Sequence, residues 1–142
     1  MMKLVLDTDV VVAAMRSPGG ASAAILGAAL DSRVTLLASV PLFVEYEAKC
    51  TMAEHWVAAG LSQSEAEIFL DGIAAVIKPV KTYYLWRPVL RDPNDEMVLE
   101  VAMNGGADAI VTFNLRDYEK IHGMFNTEVI RPAEAIRRIR DV

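Results

Sequence analysis

The segment Arg91–Tyr118, RDPNDEMVLEVAMNGGADAIVTFNLRDY, leaves the chain few choices of fold. Asp92 is placed to cap a helix, Pro93 suits its first position, and Asp95 follows three residues after the cap. Val98, Val101 and Ala102, with Met97 or Leu99 beside them, recur at helical spacing. Gly105-Gly106 stops the helix, because glycine enters the left-handed conformation without a Cβ clash. Ala109-Ile110-Val111 then reads as a short buried strand, with Thr112, Asn114 and Asp117 in the turn beyond it. Ligands of open α/β sheets bind where strands end and helices begin. The segment therefore delivers acidic and polar groups from two elements to one place.

The remainder supplies matching elements. Lys3–Leu6 is an apolar strand ending in Asp7-Thr8-Asp9, and Val10–Met15 continues as helix. Ala21–Leu30 is an alanine-rich helix with Ile25, Leu26, Ala29 and Leu30 as core positions. Val34–Ala38 is a second buried strand, and Ser39 or Pro41 opens a helix carrying Leu42, Phe43 and Tyr46 on its apolar side, with Glu45 between them. Thr51–Ala59 and Ser62–Ile77 read as a helical hairpin inserted between sheet strands, with Ser62 and Glu65 as a capping box. Ile77–Val80 is a short strand, Tyr83–Arg91 an irregular connection, Thr127–Ile130 a last strand, and Pro132 opens a terminal helix. Strands alternating with helices imply a parallel sheet covered on both faces. At 142 residues one domain spanning residues 1–142 is expected.

Composition narrows the function classes. The longest apolar run, around Val34–Val44, is broken by Thr35, Ser39 and Pro41, so no transmembrane helix is expected. The apolar stretch before Asp7 is too short for a secretory signal, and the lone Cys50 cannot form an internal disulfide, which together favour a reducing cytoplasm. The net charge of −5 lacks the basic balance of most nucleic-acid binders. Either nucleic acid is not the ligand, or the acids are concentrated in a site that a cation neutralises.

The second possibility has residues to support it. If the first, second and fourth strands are neighbours, Asp7, Glu45, Asp95, Asn114 and Asp117 point to one edge of the sheet. Clustered carboxylates stay ionised together only if a cation holds them. Oxygen-only donors favour Mg²⁺ or Mn²⁺ over zinc, which suits hydrolysis of a phosphodiester. Thr112 is placed to orient a carboxylate or a water. Each residue also has a plainer reading. Asp7 and Asp9 would cap the first helix, Asp95 would complete a capping box, Glu45 would be a solvated helix charge, and Asn114 and Asp117 would be turn residues. His55 and His122 read as surface or half-buried histidines, and Arg137, Arg138 and Arg140 as complements to a helix C-terminus.

At these residues the sequence resembles PIN-domain ribonucleases of the kind found as VapC-type toxins. The resemblance rests on LVLDTDVVVAAMRSPGG, SVPLFVEYEAKC and RDPNDEMVLEVAMNGGADAIVTFNLRDY, and spans most of the chain. It implies a three-layer α/β/α sandwich with a central parallel sheet of four or five strands. It also implies Asp7, Glu45, Asp95 and Asp117 as catalytic acids that, with Asn114, hold Mg²⁺ or Mn²⁺, supported by Thr112, Asp9 and Asp92. Arg16, Arg91 and Arg116 become substrate contacts, with Lys49 and Arg87 as further candidates. The implied activity is endonucleolytic cleavage of single-stranded RNA by a homodimer held inactive by a cognate antitoxin. Two positions depart from the family pattern: Asp9 stands where asparagine is common, and Asn114 where aspartate is frequent.

Other readings compete. A PIN-fold binding module without catalysis would account for Asn114. A phosphatase of the haloacid-dehalogenase type would use Asp7 as nucleophile and Asp9 as acid/base, but no lysine nearer than Lys81 precedes Asp92. A phosphorylatable receiver domain would need an aspartate near Val80 and a lysine after Ile130, and the chain has neither.

Overall fold

The computed structural model describes residues 1–83, 90, 92–121 and 126–141. Its elements run β1 (Lys3–Leu6), α1 (Thr8–Arg16), α2 (Ala21–Leu30), β2 (Thr35–Ala38), α3 (Val40–Cys50), α4 (Ala53–Ala58), α5 (Gln63–Val76), β3 (Ile77–Pro79), α6 (Pro93–Gly105), β4 (Ala109–Val111), β5 (Glu128–Ile130) and α7 (Pro132–Arg140). A 3₁₀ turn, Leu115–Ile121, joins β4 to the approach to β5. The five strands form one sheet in the order β3-β2-β1-β4-β5, and every pairing is parallel. The architecture is an α/β/α sandwich.

This order places the site. Parallel strands buried on both faces need continuous apolar runs, and Leu4, Val5, Ile110 and Val111 are fully buried. With β1 between β2 and β4, the carboxyl ends of all three lie side by side. The register is pinned just past the strands, where the Asp7 N–H donates to the Val111 carbonyl at 2.9 Å and the Thr112 N–H to the Ile130 carbonyl at 3.0 Å. Tyr46, fully enclosed on α3, donates its hydroxyl to the Leu6 carbonyl, tying α3 to the end of β1.

The local signals worked as their chemistry requires. The Ser39 hydroxyl accepts from the Leu42 N–H at the start of α3, and Ser62 and Glu65 form a reciprocal capping box on α5. Gly106 ends α6 in the left-handed region at φ 64°. Gly105 has a different reason. A Cβ there would lie 2.8 Å from Leu37 Cδ1 and 3.0 Å from a Val80 methyl, so α6 approaches the sheet so closely that a side chain would have to displace them. Gly105→Ala should therefore cost about 1–3 kcal/mol, as overpacking does, and lower the thermal midpoint. An unchanged midpoint would mean that α6 can shift freely.

One packing expectation needs correction, and two others gain detail. Leu30 is 67% exposed instead of buried, because α2 turns Ser22, Ile25, Leu26, Ala28 and Ala29 inward and Leu30 away from them. Phe43 is half-buried, leaving Leu42, Tyr46 and Cys50 as the buried positions of α3. Arg137 and Arg138 form ion pairs in addition to lying at a helix end: Arg137 with Glu134 at 2.6 Å, and Arg138 with Glu128 at 2.8 Å. Most of the connection Tyr83–Arg91, with Arg87 and Arg91, lies outside the described residues, as does His122. Among the described residues no single helix is long and apolar enough to cross a membrane; α1 and α2 pass such a test only together, across a 95° bend.

Candidate metal and nucleic-acid site

Asp7 sits where β1 ends and α1 begins, and it does two jobs. One oxygen, Oδ1, accepts from the Thr8 N–H at 2.8 Å, so the helix-capping reading is correct. The other, Oδ2, accepts from the hydroxyl of fully buried Thr112 at 2.8 Å. Thr112 therefore orients the carboxylate from the end of β4, and its hydroxyl also accepts from the Asn114 N–H at 3.0 Å. Replacing it with valine would leave Asp7 Oδ2 without that donor in a buried position. Thr112→Val should cost about 1–3 kcal/mol, read as a lower denaturation midpoint. Unchanged stability would show that Asp7 finds another donor.

Asp95 does not complete a capping box. Asp92 alone caps α6, accepting from the Asn94 N–H at 2.8 Å. The Asp95 carboxylate, only 8% exposed, instead accepts from the hydroxyl of Tyr118 at 3.1 Å. Tyr118 is completely buried, and its hydroxyl also interacts with Asp7, so one phenol lies between the two acids. No role for Tyr118 was read from the sequence. The available signal was an apolar ring with a polar tip closing an acidic turn, since a buried tyrosine hydroxyl finds a partner.

The other predicted residues gather around this pair. Asp7, Asp9, Glu45, Asp92, Asp95, Asn114 and Asp117 all line one cleft of about 380 Å³. Glu45 is reached from α6, where the Asn94 side-chain amide donates to its Oε1 at 3.1 Å. Asp9 Oδ2 accepts from the Phe113 N–H and from the Asn114 amide, each at 3.1 Å. The two positions that depart from the family pattern thus contact each other. Lys49 and His55 also face the cleft. Arg16 and Arg116 are both exposed and do not line it, and Arg91 is not among the described residues.

The electrostatics are those of crowded acids. Burial pushes the Asp7 carboxyl above its ordinary range, against the pull of the Thr112, Thr8 and Tyr118 donors. Burial and the neighbouring Asp7 charge raise Asp9 to about 6 and Asp95 to about 7. Such shifts measure the cost of ionising these groups together without a counter-charge. The donor chemistry suits a hard cation, being carboxylate and amide oxygen, and the Asp9 Oδ1 and Thr8 hydroxyl oxygens are buried without a hydrogen-bond partner. Among the described residues, however, no three acidic, histidine or cysteine side chains stand close enough to hold an ion as placed. Hydrogen bonds from Thr112, Tyr118, Asn94 and Asn114 tie the acids to neighbouring side chains instead.

Comparison with known proteins places this architecture. Residues 3–116 match the family described as PIN domain, a span running from β1 through Asp7, Glu45, Asp95 and Asn114. Among solved structures, the chain is similar to one in the crystal structure of VapBC2 from Rickettsia felis bound to a DNA fragment from their promoter. The TM-score is 0.64 and the identity 14%, covering 92% of this chain and 98% of that one, so the likeness is one of fold. No curated protein matches significantly. The chain belongs to the PIN-domain family of nucleases.

Proposed function

We propose that this protein is a Mg²⁺- or Mn²⁺-dependent endoribonuclease of single-stranded RNA, the toxin of a type II toxin–antitoxin pair, acting in the cytoplasm as a homodimer. The observation that carries the reading is the junction of buried Asp7 and Asp95 across one tyrosine hydroxyl, in a cleft with further acids from other elements. Charges so arranged are costly for a merely structural role. Family membership supports nuclease chemistry, and the VapBC2 fold match supports an antitoxin as partner.

Asp7, Glu45, Asp95 and Asp117, with Asn114, would hold the ion. When bound, it would lower the pKa of a water and neutralise the leaving oxygen. Thr112 and Tyr118 fix the orientations of Asp7 and Asp95. Asp92 caps α6 and so sets where Asp95 starts. Asp9 holds the turn of Asn114 through two hydrogen bonds.

The test is cleavage of a fluorescent single-stranded RNA with Mn²⁺, Mg²⁺ or EDTA, with Asp7→Asn alongside to expose contaminating ribonuclease. Metal-dependent cutting that Asp7→Asn lacks is the expected result. One observation favours a second reading, a PIN-fold binding module without catalysis: the amide at Asn114 is spent on Asp9, and the acids are not assembled around an ion as placed. RNA binding without cutting in any metal would establish that alternative. The phosphatase and receiver readings have no support in the family match.

A further inference from the structure

We infer that Lys49, His55 and Arg16 form a phosphate-docking edge that leads single-stranded RNA into the acid cleft across α3 and α4. The inference rests on the nuclease reading and adds the path of the substrate. The cleft presents six acids among its described lining residues, and a polyanion approaching them is repelled unless cations stand at its entrance. Among the same residues, the side chains able to offer N–H donors to a phosphate from a basic group are Lys49 and His55. Both come from the same side. Lys49 lies one turn beyond Glu45 on α3, hence on the same helix face. His55 is on α4, which packs against both α1 and α3.

Arg16 extends this edge from the end of α1. Its Nη1 lies 3.5 Å from His55 Nδ1. A guanidinium only donates, so Nδ1 accepts and the ring hydrogen falls on Nε2. Nε2 lies 3.8 Å from the carboxylate of exposed Glu54. Arg16 and Lys49 form no ion pair among the described residues, whereas Arg137 and Arg138 are held by Glu134, Glu128 and Asp141. Cations without acidic partners beside an acidic cleft are placed for an anion that arrives from outside. The exposed face of α5, with Glu65, Glu67 and Asp71, offers the opposite charge and marks where the strand does not run.

The experiment is steady-state cleavage of a fluorescent single-stranded RNA with Mn²⁺ by wild type, Arg16→Gln, Lys49→Gln and His55→Gln, with Arg33→Gln, exposed before the start of β2, as control. Each edge variant should raise KM about fivefold, the scale of one surface phosphate contact, and leave kcat within about twofold of wild type. The slope of log affinity against log salt, from anisotropy of the same RNA on each protein, should fall by about 0.7 in Arg16→Gln and in Lys49→Gln, which each remove one phosphate-neutralising cation, and stay unchanged in His55→Gln, whose ring contributes a donor without charge. Mn²⁺ affinity and the thermal midpoint should not move. An unchanged KM in both Lys49→Gln and His55→Gln, with an unchanged salt slope in Lys49→Gln, would overturn the docking edge while leaving a cutting wild type intact as a nuclease. A fall in kcat alone would overturn it too, by assigning these residues to the acids. A wild type that neither binds nor cuts the RNA would remove the nuclease reading and this inference with it.

Discussion

Asp95→Asn should lose cleavage by roughly a thousandfold and yet be more stable than wild type at neutral pH without metal. The first effect follows from removing one charge at the proposed ion. Metal stabilisation of developing charge is worth several kcal/mol, and each step of about 1.4 kcal/mol is tenfold in rate. The second follows from the site as it stands, where the Asp95 carboxyl is raised to about 7 by burial and by Asp7. Asparagine keeps the oxygen that accepts from Tyr118 and removes the charge that repels Asp7. Asp7→Asn should lose activity similarly, and its fold should survive because asparagine is as good a helix cap as aspartate. Steady-state cleavage and thermal denaturation on the same preparations check both halves. Near wild-type cleavage in either variant, at equal metal, would return these acids to a structural role.

The metal-free protein should lose about 2 kcal/mol of stability as pH rises from about 4 to about 7, and Mn²⁺ should restore it. The sign follows from the direction of the shifts. Asp9 and Asp95 have folded values of about 6 and 7, above the ordinary 3.8. A group raised on folding contributes stability that is fully present below its unfolded pKa and lost as pH passes its folded pKa. The window therefore runs from the ordinary 3.8 to about 7. The magnitude is below what the full shifts imply because Asp9 is partly exposed to solvent. A bound divalent cation reverses the sign, since it favours the ionised acids. Denaturation midpoints at about pH 4.5 and about pH 7, with EDTA and with Mn²⁺, should show a metal effect at the higher pH alone. A metal-free protein most stable near neutral pH would contradict the crowding of these acids.

Much of this was legible in the sequence, for physical reasons. Capping chemistry is local, so Ser39, Ser62, Asp92 and Gly106 could be placed from neighbouring residues alone. The parallel sheet followed from apolar runs alternating with helices, and the strand order then brought Asp7 and Thr112 together at 2.8 Å. What could not be read depended on contacts between distant segments. Tyr118 meets Asp95 across 23 residues and Asn114 meets Asp9 across 105, and nothing local announces either pairing. Asp95 shows the limit from the other side. Its spacing after Asp92 satisfied a capping-box pattern, but a buried phenol competed for the carboxylate and won. His55 reads in the sequence as an ordinary half-buried histidine, and only the packing of α4 against α1 and α3 turns it toward the acids.

The most direct test of a metal centre at the ends of β1 and β4 is Mn²⁺ binding by calorimetry at neutral pH, to wild type and to Asp95→Asn. Wild type should bind saturably and release protons, because Asp9 and Asp95 must ionise around the ion. The variant should bind far more weakly. Binding that is equal in the two proteins, or absent from wild type at millimolar Mn²⁺, would contradict the metal centre.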